Sequence, residues 1–190
     1  MRIIGGLARG LQLKSPHQGA GIKPTMDRVR EAIFNSIEPI MGKTIVDLFS
    51  GSGALGLEAC SRQADRVAWF EMERSLCKII GENIQRVTKS LGDAMPENTV
   101  FQSDILAAPR LLPHWQPDII LADPPYNPND KQKGSLELLT NQAFHDWAGD
   151  ALLIMEQSKH NPLDPQCLKL WHVARQKKYG NQLVYYLKVK

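Results

Sequence analysis

The sequence is poor in cysteine and has no long apolar run. Its three cysteines lie far apart with no C-x-x-C pair, and its five histidines form no H-x-x-x-H pair, so we expect no disulfide framework and no metal site. The cysteines are Cys60, Cys77 and Cys167. No apolar stretch approaches the ~20 residues that cross a bilayer, and the N-terminus MRIIGGLARG is too weakly apolar for a secretory signal. We therefore expect a cytoplasmic protein with no membrane contact.

Acidic residues are missing from both ends of the chain. The first 26 residues and the stretch after Asp164 contain no Asp or Glu, although the net charge of the 190 residues is only +3. The basic residues are Arg2, Arg9, Lys14 and Lys23 in the first stretch, and Lys169, Arg175, Lys177, Lys178, Lys188 and Lys190 in the second. If the two ends meet in space, they form a positive face that suits a nucleic acid. Alternatively, the two ends of the chain lie apart as two solvent-exposed charged edges, and the sequence fits this arrangement equally well.

Short apolar runs alternate with amphipathic helical segments along most of the chain. Strands are predicted at Thr44–Phe49, Arg66–Glu71, Thr99–Gln102, Asp118–Asp123 and Ala151–Glu156, and helices at Asp27–Glu38, Ala54–Cys60, Glu73–Val87 and Ser135–Trp147. This alternation indicates an α/β fold with a mostly parallel sheet and helices on both faces. The tail, Leu168–Lys190, is predicted to form two strands that pair as an antiparallel hairpin around Tyr179–Gly180–Asn181. We expect one domain, with residues 1–24 as a glycine-punctuated hairpin arm and residues 25–190 as the core.

A glycine-rich turn between a strand and a helix marks the first candidate binding site. In IVDLFSGSGALGLE, which spans Ile45–Glu58, Gly51 and Gly53 permit positive φ and let a ligand approach the backbone. The amides that open the following helix suit a nucleotide-like ligand. Gly51, Gly53 and Gly56 also match the G-x-G-x-x-G pattern, and Glu71 follows at the distance expected of a ribose-binding acid. A nicotinamide or flavin dinucleotide and S-adenosylmethionine both fit this turn, and a plain strand-to-helix turn is the third interpretation.

A proline-stiffened corner, Asp123–Pro124–Pro125–Tyr126, follows an apolar strand. The two prolines fix φ at about −65° and push Asp123 out of the helical region. The corner offers carboxylate and carbonyl acceptors beside an aromatic ring, on the sheet edge that is expected to carry the glycine turn. Such acceptors can bind the two N–H groups of an exocyclic amino group while the ring stacks on the base. The pattern favours methyl transfer to an amino nitrogen, governed by positioning and electrostatics. A rigid loop after a strand is the alternative.

D-P-P-Y in this setting is similar to the signature of amino-group methyltransferases that use S-adenosylmethionine. The wider pattern resembles one branch of them, the RsmD family of bacterial methyltransferases that modify guanine N2 in small-subunit (16S) ribosomal RNA. The resemblance spans nearly the whole chain and includes MRIIGGLARG, KPTMDRVREAIFNSI, VDLFSGSGALGLEA, WFEMER, SDIL and LADPPY. It implies a Rossmann-like class I methyltransferase fold with seven strands. It also implies ribosomal RNA as partner, within an assembling 30S particle. We expect a monomer, because nothing in the sequence suggests a large apolar interface.

The resemblance implies a role for each matching residue. The cofactor would be bound by Asp47, Phe49, Ser50, Gly51 and Gly53 around the methionine portion, by Glu71 at the ribose, and by Met72, Asp104 and Ile105 around adenine. The target guanine would be held by the catalytic corner Asp123, Pro124, Pro125 and Tyr126. RNA would be bound by Arg2, Arg9, Lys14, Lys23, Arg28 and Arg30. Lys23 stands where the family is expected to have Arg, which keeps the charge but loses the planar fork.

Other functions stay open at this point. A DNA adenine-N6 or protein glutamine-N5 methyltransferase would use the same corner, although 190 residues leave little room for a DNA-recognition domain. A nicotinamide-dependent oxidoreductase would use Gly51–Gly56 and Glu71 but has no use for D-P-P-Y. An RNA-binding module with an inactive pocket is the non-enzymatic interpretation, and the intact Asp47, Gly51 and Asp123–Tyr126 argue against it.

Overall fold

The computed structural model describes residues 1–16, 27–125 and 133–190. The strands are β1 (Thr44–Leu48), β2 (Arg66–Glu71), β3 (Glu97–Gln102), β4 (Ile119–Ala122), β5 (Leu152–Ser158), β6 (Trp171–Tyr179) and β7 (Gln182–Val189). The α-helices are α1 (Asp27–Ile37), α2 (Ala54–Ser61), α3 (Arg74–Leu91), α4 (Ala108–Leu111), α5 (Ser135–Thr140) and α6 (Gln142–Ala148). Short 3₁₀ turns lie at Gly92–Ala94, Ile105–Ala107 and Pro165–Leu168.

The seven strands form one sheet in the order β3-β2-β1-β4-β5-β7-β6. The strands from β1 to β5 pair in parallel, whereas β7 pairs antiparallel with both β5 and β6. Tyr179 lies opposite Gln182, so the predicted C-terminal hairpin is confirmed, and Gly180 takes a φ of 61° in its two-residue turn. The sheet order reverses at β1, which pairs with β2 on one side and β4 on the other. In open α/β sheets this switch point leaves a crevice at the carboxyl ends of the strands.

Apolar side chains cover both faces of the sheet, as the buried parallel strands require. On one face, which we call the α1 face, Phe34 of α1, Leu57 of α2 and Ile80 of α3 pack with Ile45 and Ile154 of the sheet. On the other face, the side chains of α4, α5 and α6 pack with the alternate residues of the same strands, among them Leu48, Ala122 and Met155. Which face a strand residue occupies therefore follows its position in the two-residue alternation.

The N-terminal segment 1–16 doubles back on itself but is not a free arm. A single bridge joins Arg2 to Gln12, and Ile3 N donates to the carbonyl of Leu11 at 3.0 Å. The apolar side chains of this segment are buried on the α1 face, where Ile3 is 1% and Leu13 6% exposed. The predicted hairpin is thus reduced to one bridge, because burial against the core replaces strand pairing. The predicted boundary at residue 24 lies outside the described residues.

One buried acid fastens this segment to the core. Glu58 on α2 is fully buried and accepts hydrogen bonds from Ile4 N at 2.8 Å and Gly5 N at 2.7 Å. Its carboxylate also lies 2.9 Å from Arg62 Nε and 3.7 Å from Arg30 Nε. The N-terminal segment, α1 and α2 therefore share one ion-pair network.

The predicted helix Ser135–Trp147 is divided into α5 and α6. Asn141 leaves the helical region with φ −80° and ψ 115°, and its side chain accepts from Phe144 N at 2.8 Å. Asn is a strong N-cap because its side-chain oxygen satisfies an amide at the start of a helix, and here it begins a second helix inside the predicted one. Of the helices in the three described ranges, none is both long and apolar enough to cross a membrane.

Replacing Glu58 by Ala should lower the free energy of unfolding by about 3–5 kcal/mol, because it leaves buried guanidinium groups without their partner. The measurement is urea unfolding followed by circular dichroism. Glu31→Ala, at an exposed position of α1, is the matched control and should leave stability nearly unchanged. Equal stabilities for the two variants would contradict the role given to Glu58.

Candidate active site

Predicted site residues from four strands meet at the carboxyl edge of the sheet. The glycine turn follows β1, Glu71 ends β2, Asp104 follows β3 and Asp123 follows β4. Leu48 lies opposite Ala122 in the β1–β4 register, so the glycine turn and the proline corner leave the sheet side by side. Tyr126, the last residue of the corner, lies outside the described residues.

The turn after β1 is held in a conformation that its glycines permit. Gly51 and Gly53 have φ of 55° and 80°, and even Phe49 has a φ of 57°. Ser50 locks the turn to β2, because its Oγ donates to the carbonyl of Asp47 at 2.6 Å and accepts from Phe70 N at 3.0 Å. A Cβ built on Gly51 would meet no atom within 4 Å, so the turn is open on the side where a ligand would lie.

Gly56, the third glycine of the pattern, serves packing. A Cβ at Gly56 would lie 2.3 Å from Nε1 of Trp69, which is fully buried on β2. The indole therefore rests directly against the backbone of α2. The G-x-G-x-x-G spacing is thus accounted for by helix–strand packing at its third position, whatever ligand the first two glycines accommodate.

Asp47 is a buried acid beneath this turn. It is 1% exposed, and its Oδ2 accepts from Gly56 N at 2.9 Å. Its Oδ1 is buried and has no hydrogen-bond partner in the part of the chain that the structure describes. Burial raises the pKa of Asp47 well above its usual range, and the negative charges of Asp123 and Glu71 raise it further. A buried acceptor without a partner costs about 1–3 kcal/mol, so this oxygen is suited to a donor group of a ligand.

Glu71 is fixed at the rim by backbone amides. Its Oε2 accepts from Gly51 N and its Oε1 from Glu73 N, both at 2.9 Å. Burial raises the pKa of Glu71, while these amide hydrogen bonds oppose the rise. A carboxylate offers about four lone-pair directions, so Glu71 retains acceptor capacity for hydroxyl groups. Its link to Gly51 also ties the end of β2 to the glycine turn.

The residues predicted around adenine differ in what they offer to a ligand. Met72 is 49% exposed at the rim, so its thioether side chain is available for contact. Asp104 caps the turn Ile105–Ala107 by accepting from Leu106 N at 2.8 Å. Ile105 is only 3% exposed because it packs in the core opposite the α1 face, and it therefore supports the rim from below.

The proline corner is partly enclosed by the protein. Pro124 is buried, and Asp123 and Pro125 are half-buried. The negative charge of Asp123 raises the pKa of the Asp47 carboxyl group. Within residues 1–16, 27–125 and 133–190, no group of three or more His, Cys, Asp or Glu side chains is arranged to hold a metal ion.

The basic residues predicted to bind RNA divide into exposed and buried ones. Arg2, Arg9, Lys14 and Arg28 are exposed, although Arg2 lies 3.3 Å from Asp27 and Lys14 lies 2.5 Å from Glu82. Lys23 lies outside the described residues.

The prediction that Arg30 contacts RNA is wrong. Arg30 is 0% exposed, and its Nη2 donates to the carbonyl of Arg2 at 2.5 Å and to Asp27 Oδ1 at 2.9 Å. Burial lowers its pKa, although the charge of Glu58 opposes the shift. The sequence indicated this burial, because Arg30 precedes the core residues Ile33 and Phe34 by three and four positions and so lies on the same face of α1.

Asn83 was not singled out from the sequence. It is fully buried on α3, where its Oδ1 accepts from Lys14 N at 2.7 Å and its Nδ2 donates to the carbonyl of Ser52 at 3.1 Å. It therefore joins the N-terminal segment to the glycine turn. The available signal was a polar residue within the apolar stripe that includes Ile80 and Val87.

Helix α1 contacts both basic ends of the chain. Arg175 of β6 lies over the ring of Tyr186 at 4.8 Å from its centroid, and the Tyr186 hydroxyl lies 2.7 Å from Ser36 Oγ on α1. At the other end of α1, Arg30 holds the carbonyl of Arg2. Helix α1 thus bridges the N-terminal segment and the C-terminal hairpin, and Arg175 lies on the α1 face, whereas Lys178, opposite Leu183, lies on the other face.

Several known proteins that resemble this chain in sequence and fold are named methyltransferases. Residues 1–188 match the family model described as conserved hypothetical protein 95. Ribosomal RNA small subunit methyltransferase D of Escherichia coli is 37% identical over 190 residues, which cover 98% of this chain and 88% of that protein. The methyltransferase of the same name from Haemophilus influenzae is 34% identical, with 86% of this chain and 81% of that protein covered.

Solved structures agree with this relationship. The structure of the Escherichia coli protein yhhF matches 100% of this chain and 98% of its own, with a TM-score of 0.73 and 32% identity. SMU.776, solved in complex with S-adenosylhomocysteine (SAH), shares the fold at a TM-score of 0.64 and 16% identity, over 85% of this chain and 48% of that one. The seven-stranded sheet with its single antiparallel strand is accordingly a Rossmann-like class I methyltransferase fold. The chain belongs to the family described as conserved hypothetical protein 95, together with the small-subunit ribosomal RNA methyltransferases D that it matches along nearly its whole length.

Proposed function

We propose that the protein transfers a methyl group from S-adenosylmethionine to the exocyclic N2 amino group of a guanine in 16S ribosomal RNA. The observation that carries this proposal is the β1–β4 register, which sets the Asp123–Pro124–Pro125 corner beside the glycine turn. Membership of a family with ribosomal RNA methyltransferases supports the substrate class. An RNA substrate of this kind would be met in the cytoplasm, within an assembling 30S particle, and the protein would act as a monomer.

The residues at the rim fit S-adenosylmethionine. The buried Oδ1 of Asp47 would accept a hydrogen bond from the methionine ammonium group, with the open side of Gly51 against the same portion. Glu71 would accept from the ribose hydroxyls, and the exposed Met72 would pack on adenine, with Asp104 near its amino group. When bound, this cofactor supplies an electrophilic methyl group on a sulfonium.

The proline corner would prepare the amino nitrogen for attack. An exocyclic amine is a poor nucleophile because its lone pair is delocalised into the ring. The Asp123 carboxylate and the Pro124 carbonyl would accept its N–H groups and turn the lone pair toward the methyl carbon. Tyr126 would stack on the base, a contact worth about 1–3 kcal/mol. The nitrogen would take up the methyl group that the cofactor supplies, and the Asp123 carboxylate would accept the proton that the nitrogen then loses.

The base would have to leave its stack, because a paired N2 group cannot reach a corner at the sheet rim. The exposed cations Arg2, Arg9, Lys14 and Arg28, joined by Arg175 on the same face, would hold phosphates around it. Such contacts release counterions, so binding should weaken steeply with salt.

Methylation of adenine N6 in DNA and of a glutamine N5 in protein use the same corner and are the alternatives. Mass mapping of 16S ribosomal RNA from cells with and without the gene tests the proposal, followed by transfer of labelled methyl to subunits that lack the mark. Loss of one N2-methylguanine in the deletion strain is the expected result. Transfer to DNA or protein, with none to RNA, would overturn the proposal.

Asp47→Asn should lower the affinity for the cofactor without lowering the stability of the protein at pH 8. A raised folded-state pKa means that the folded protein holds the proton longer than the unfolded chain, so stability falls as pH rises from the usual Asp range through that pKa. Asn cannot ionise, so the variant should lose this pH dependence and be at least as stable as the wild type at pH 8. Its affinity for SAH should fall about tenfold or more, because a charged hydrogen bond contributes about 1.5–3 kcal/mol.

Thermal unfolding at pH 5 and pH 8 gives the stability arm of the Asp47 experiment, and calorimetric titration with SAH gives the binding arm. Ser36→Ala, on α1 away from the glycine turn, is the binding control. Wild-type affinity in the Asn variant would remove Asp47 from the cofactor site.

Asp123→Ala should reduce the rate of methyl transfer by about 10²–10³-fold, the usual effect of removing one positioned group that stabilises the transition state. Binding of SAH should change little. Asp118→Ala is the matched control at the opposite end of β4, where Asp118 pairs with Lys43 at 2.8 Å. A loss of cofactor affinity equal to the loss of rate would contradict the assignment of Asp123 to the target base.

Arg28→Ala should weaken RNA binding and reduce the slope of log affinity against log salt by about one, as expected for one lost phosphate contact. Fluorescence anisotropy with labelled RNA at several salt concentrations measures both quantities. Arg66→Ala is the control, because Arg66 begins β2 at the opposite edge of the sheet. If the two variants change the slope equally, the RNA does not lie on the α1 face.

A further inference from the structure

A second buried acid stands next to the proline corner. Glu156, near the carboxyl end of β5, is 3% exposed, although Leu153, Ile154 and Met155 before it are apolar and buried. Met155 is the partner of Ala122 in the parallel register of β4 and β5. Glu156 therefore follows that pair by one residue and lies level with Asp123, which follows Ala122.

The two acids also share a face of the sheet. Ile154 packs on the α1 face and Met155 on the opposite one, so alternation brings Glu156 to the α1 face. Leu121 and Ala122 divide in the same way, which brings Asp123 to that face as well. Neighbouring strands are about 4.8 Å apart, a spacing that one purine edge can bridge.

The Glu156 side chain is held in a fixed direction. Gln182, which begins β7 and is 5% exposed, donates from its Nε2 to Glu156 Oε1. The antiparallel register pairs Glu156 with Val184, two residues beyond Gln182 on the same face. A carboxylate has about four acceptor directions, and Gln182 occupies one of those of Glu156.

We propose that Glu156 selects guanine by accepting a hydrogen bond from N1–H, while the Asp123 corner accepts the two N2–H groups. This inference rests on the proposed function. An ionised carboxylate only accepts hydrogen bonds, and the N1–H group of guanine donates one, so the two groups match. Adenine presents the lone pair of N1 next to its amino group, and a carboxylate repels that edge. The buried acid thus favours guanine-N2 chemistry over adenine-N6 chemistry.

The test compares methylation of guanine and of 2-aminopurine by the wild-type protein and by the Glu156→Gln variant. In RNA that carries the mapped target, 2-aminopurine replaces the guanine, which keeps the amino group at position 2 but puts a lone pair where N1–H was. The wild-type protein should methylate guanine more efficiently by about 10-fold to 100-fold. Glu156→Gln introduces an amide donor that suits the lone pair, so the ratio of kcat/KM for guanine to that for 2-aminopurine should fall about tenfold or more.

Binding gives a second readout that does not depend on turnover. The fluorescence of 2-aminopurine reports the unstacked base, so titrating this RNA in the presence of SAH measures capture of the base. Glu156→Gln should bind the 2-aminopurine RNA more tightly than the wild type and the guanine RNA more weakly. Glu58→Gln, at a buried acid of α2 on the same face, is the matched control. A weaker hold on the N-terminal segment would affect both RNAs alike, so the guanine to 2-aminopurine ratios of affinity and of kcat/KM should stay unchanged.

The possible outcomes distinguish failure of this inference from failure of the proposed function. If Glu156→Gln leaves the ratio of kcat/KM for guanine to that for 2-aminopurine unchanged, or loses equal activity on both RNAs, Glu156 does not select the base. Glu156 would then be only a structural partner of Gln182. If the wild-type protein shows no preference for guanine over 2-aminopurine, base selection by Glu156 is contradicted without any variant. Failure of the wild type to methylate RNA at all would overturn the proposed function, and this inference with it.

Discussion

The parallel pairing of β1 with β4 is the constraint on which the site depends. It sets Leu48 opposite Ala122, so two segments more than seventy residues apart in sequence leave the sheet side by side. The order of the strands reverses at β1, and a crevice at such a switch point is where open α/β sheets bind ligands. The same proximity appears in the raised pKa of Asp47, to which the charge of Asp123 contributes. Without this register, the glycine turn and the proline corner would be two unrelated loops.

Buried polar groups on the α1 face fall into two kinds. Glu58 and Asn83 are satisfied by the backbone of residues 1–16, and they hold the N-terminal segment against the core. Asp47 instead keeps a buried oxygen without a hydrogen-bond partner among the described residues, and burial disfavours its charge. A perturbed acid in a crevice is typical of a functional position, whereas a fully satisfied one is typical of structural support. This difference distinguishes Asp47, as a group available to a ligand, from Glu58 and Asn83, which maintain the fold.

The N-terminal segment connects the fold to the proposed RNA surface. Its apolar side chains are buried with α1 and α2, while Arg2 and Arg9 remain exposed. Because α1 also reaches Tyr186 on β7, it contacts both basic ends of the chain. The charge distribution along the sequence was compatible with either one face or two edges. The packing of α1 brings Arg175 to the face that carries the N-terminal segment, while Lys178 lies on the other face.

Local chemistry in the sequence determined the strands, most helices, the C-terminal hairpin, the glycine turn and the proline corner, because periodicity and turn residues act over a few positions. Tertiary structure alone decided the roles of Arg30, Asn83 and Glu156. Their partners Glu58, Lys14 and Gln182 are distant in the chain, by 69 residues for Asn83 and 26 for Glu156. A polar residue in an apolar pattern becomes a surface contact, a structural anchor or a ligand-binding group according to what the fold brings opposite it, and no local pattern contains that information.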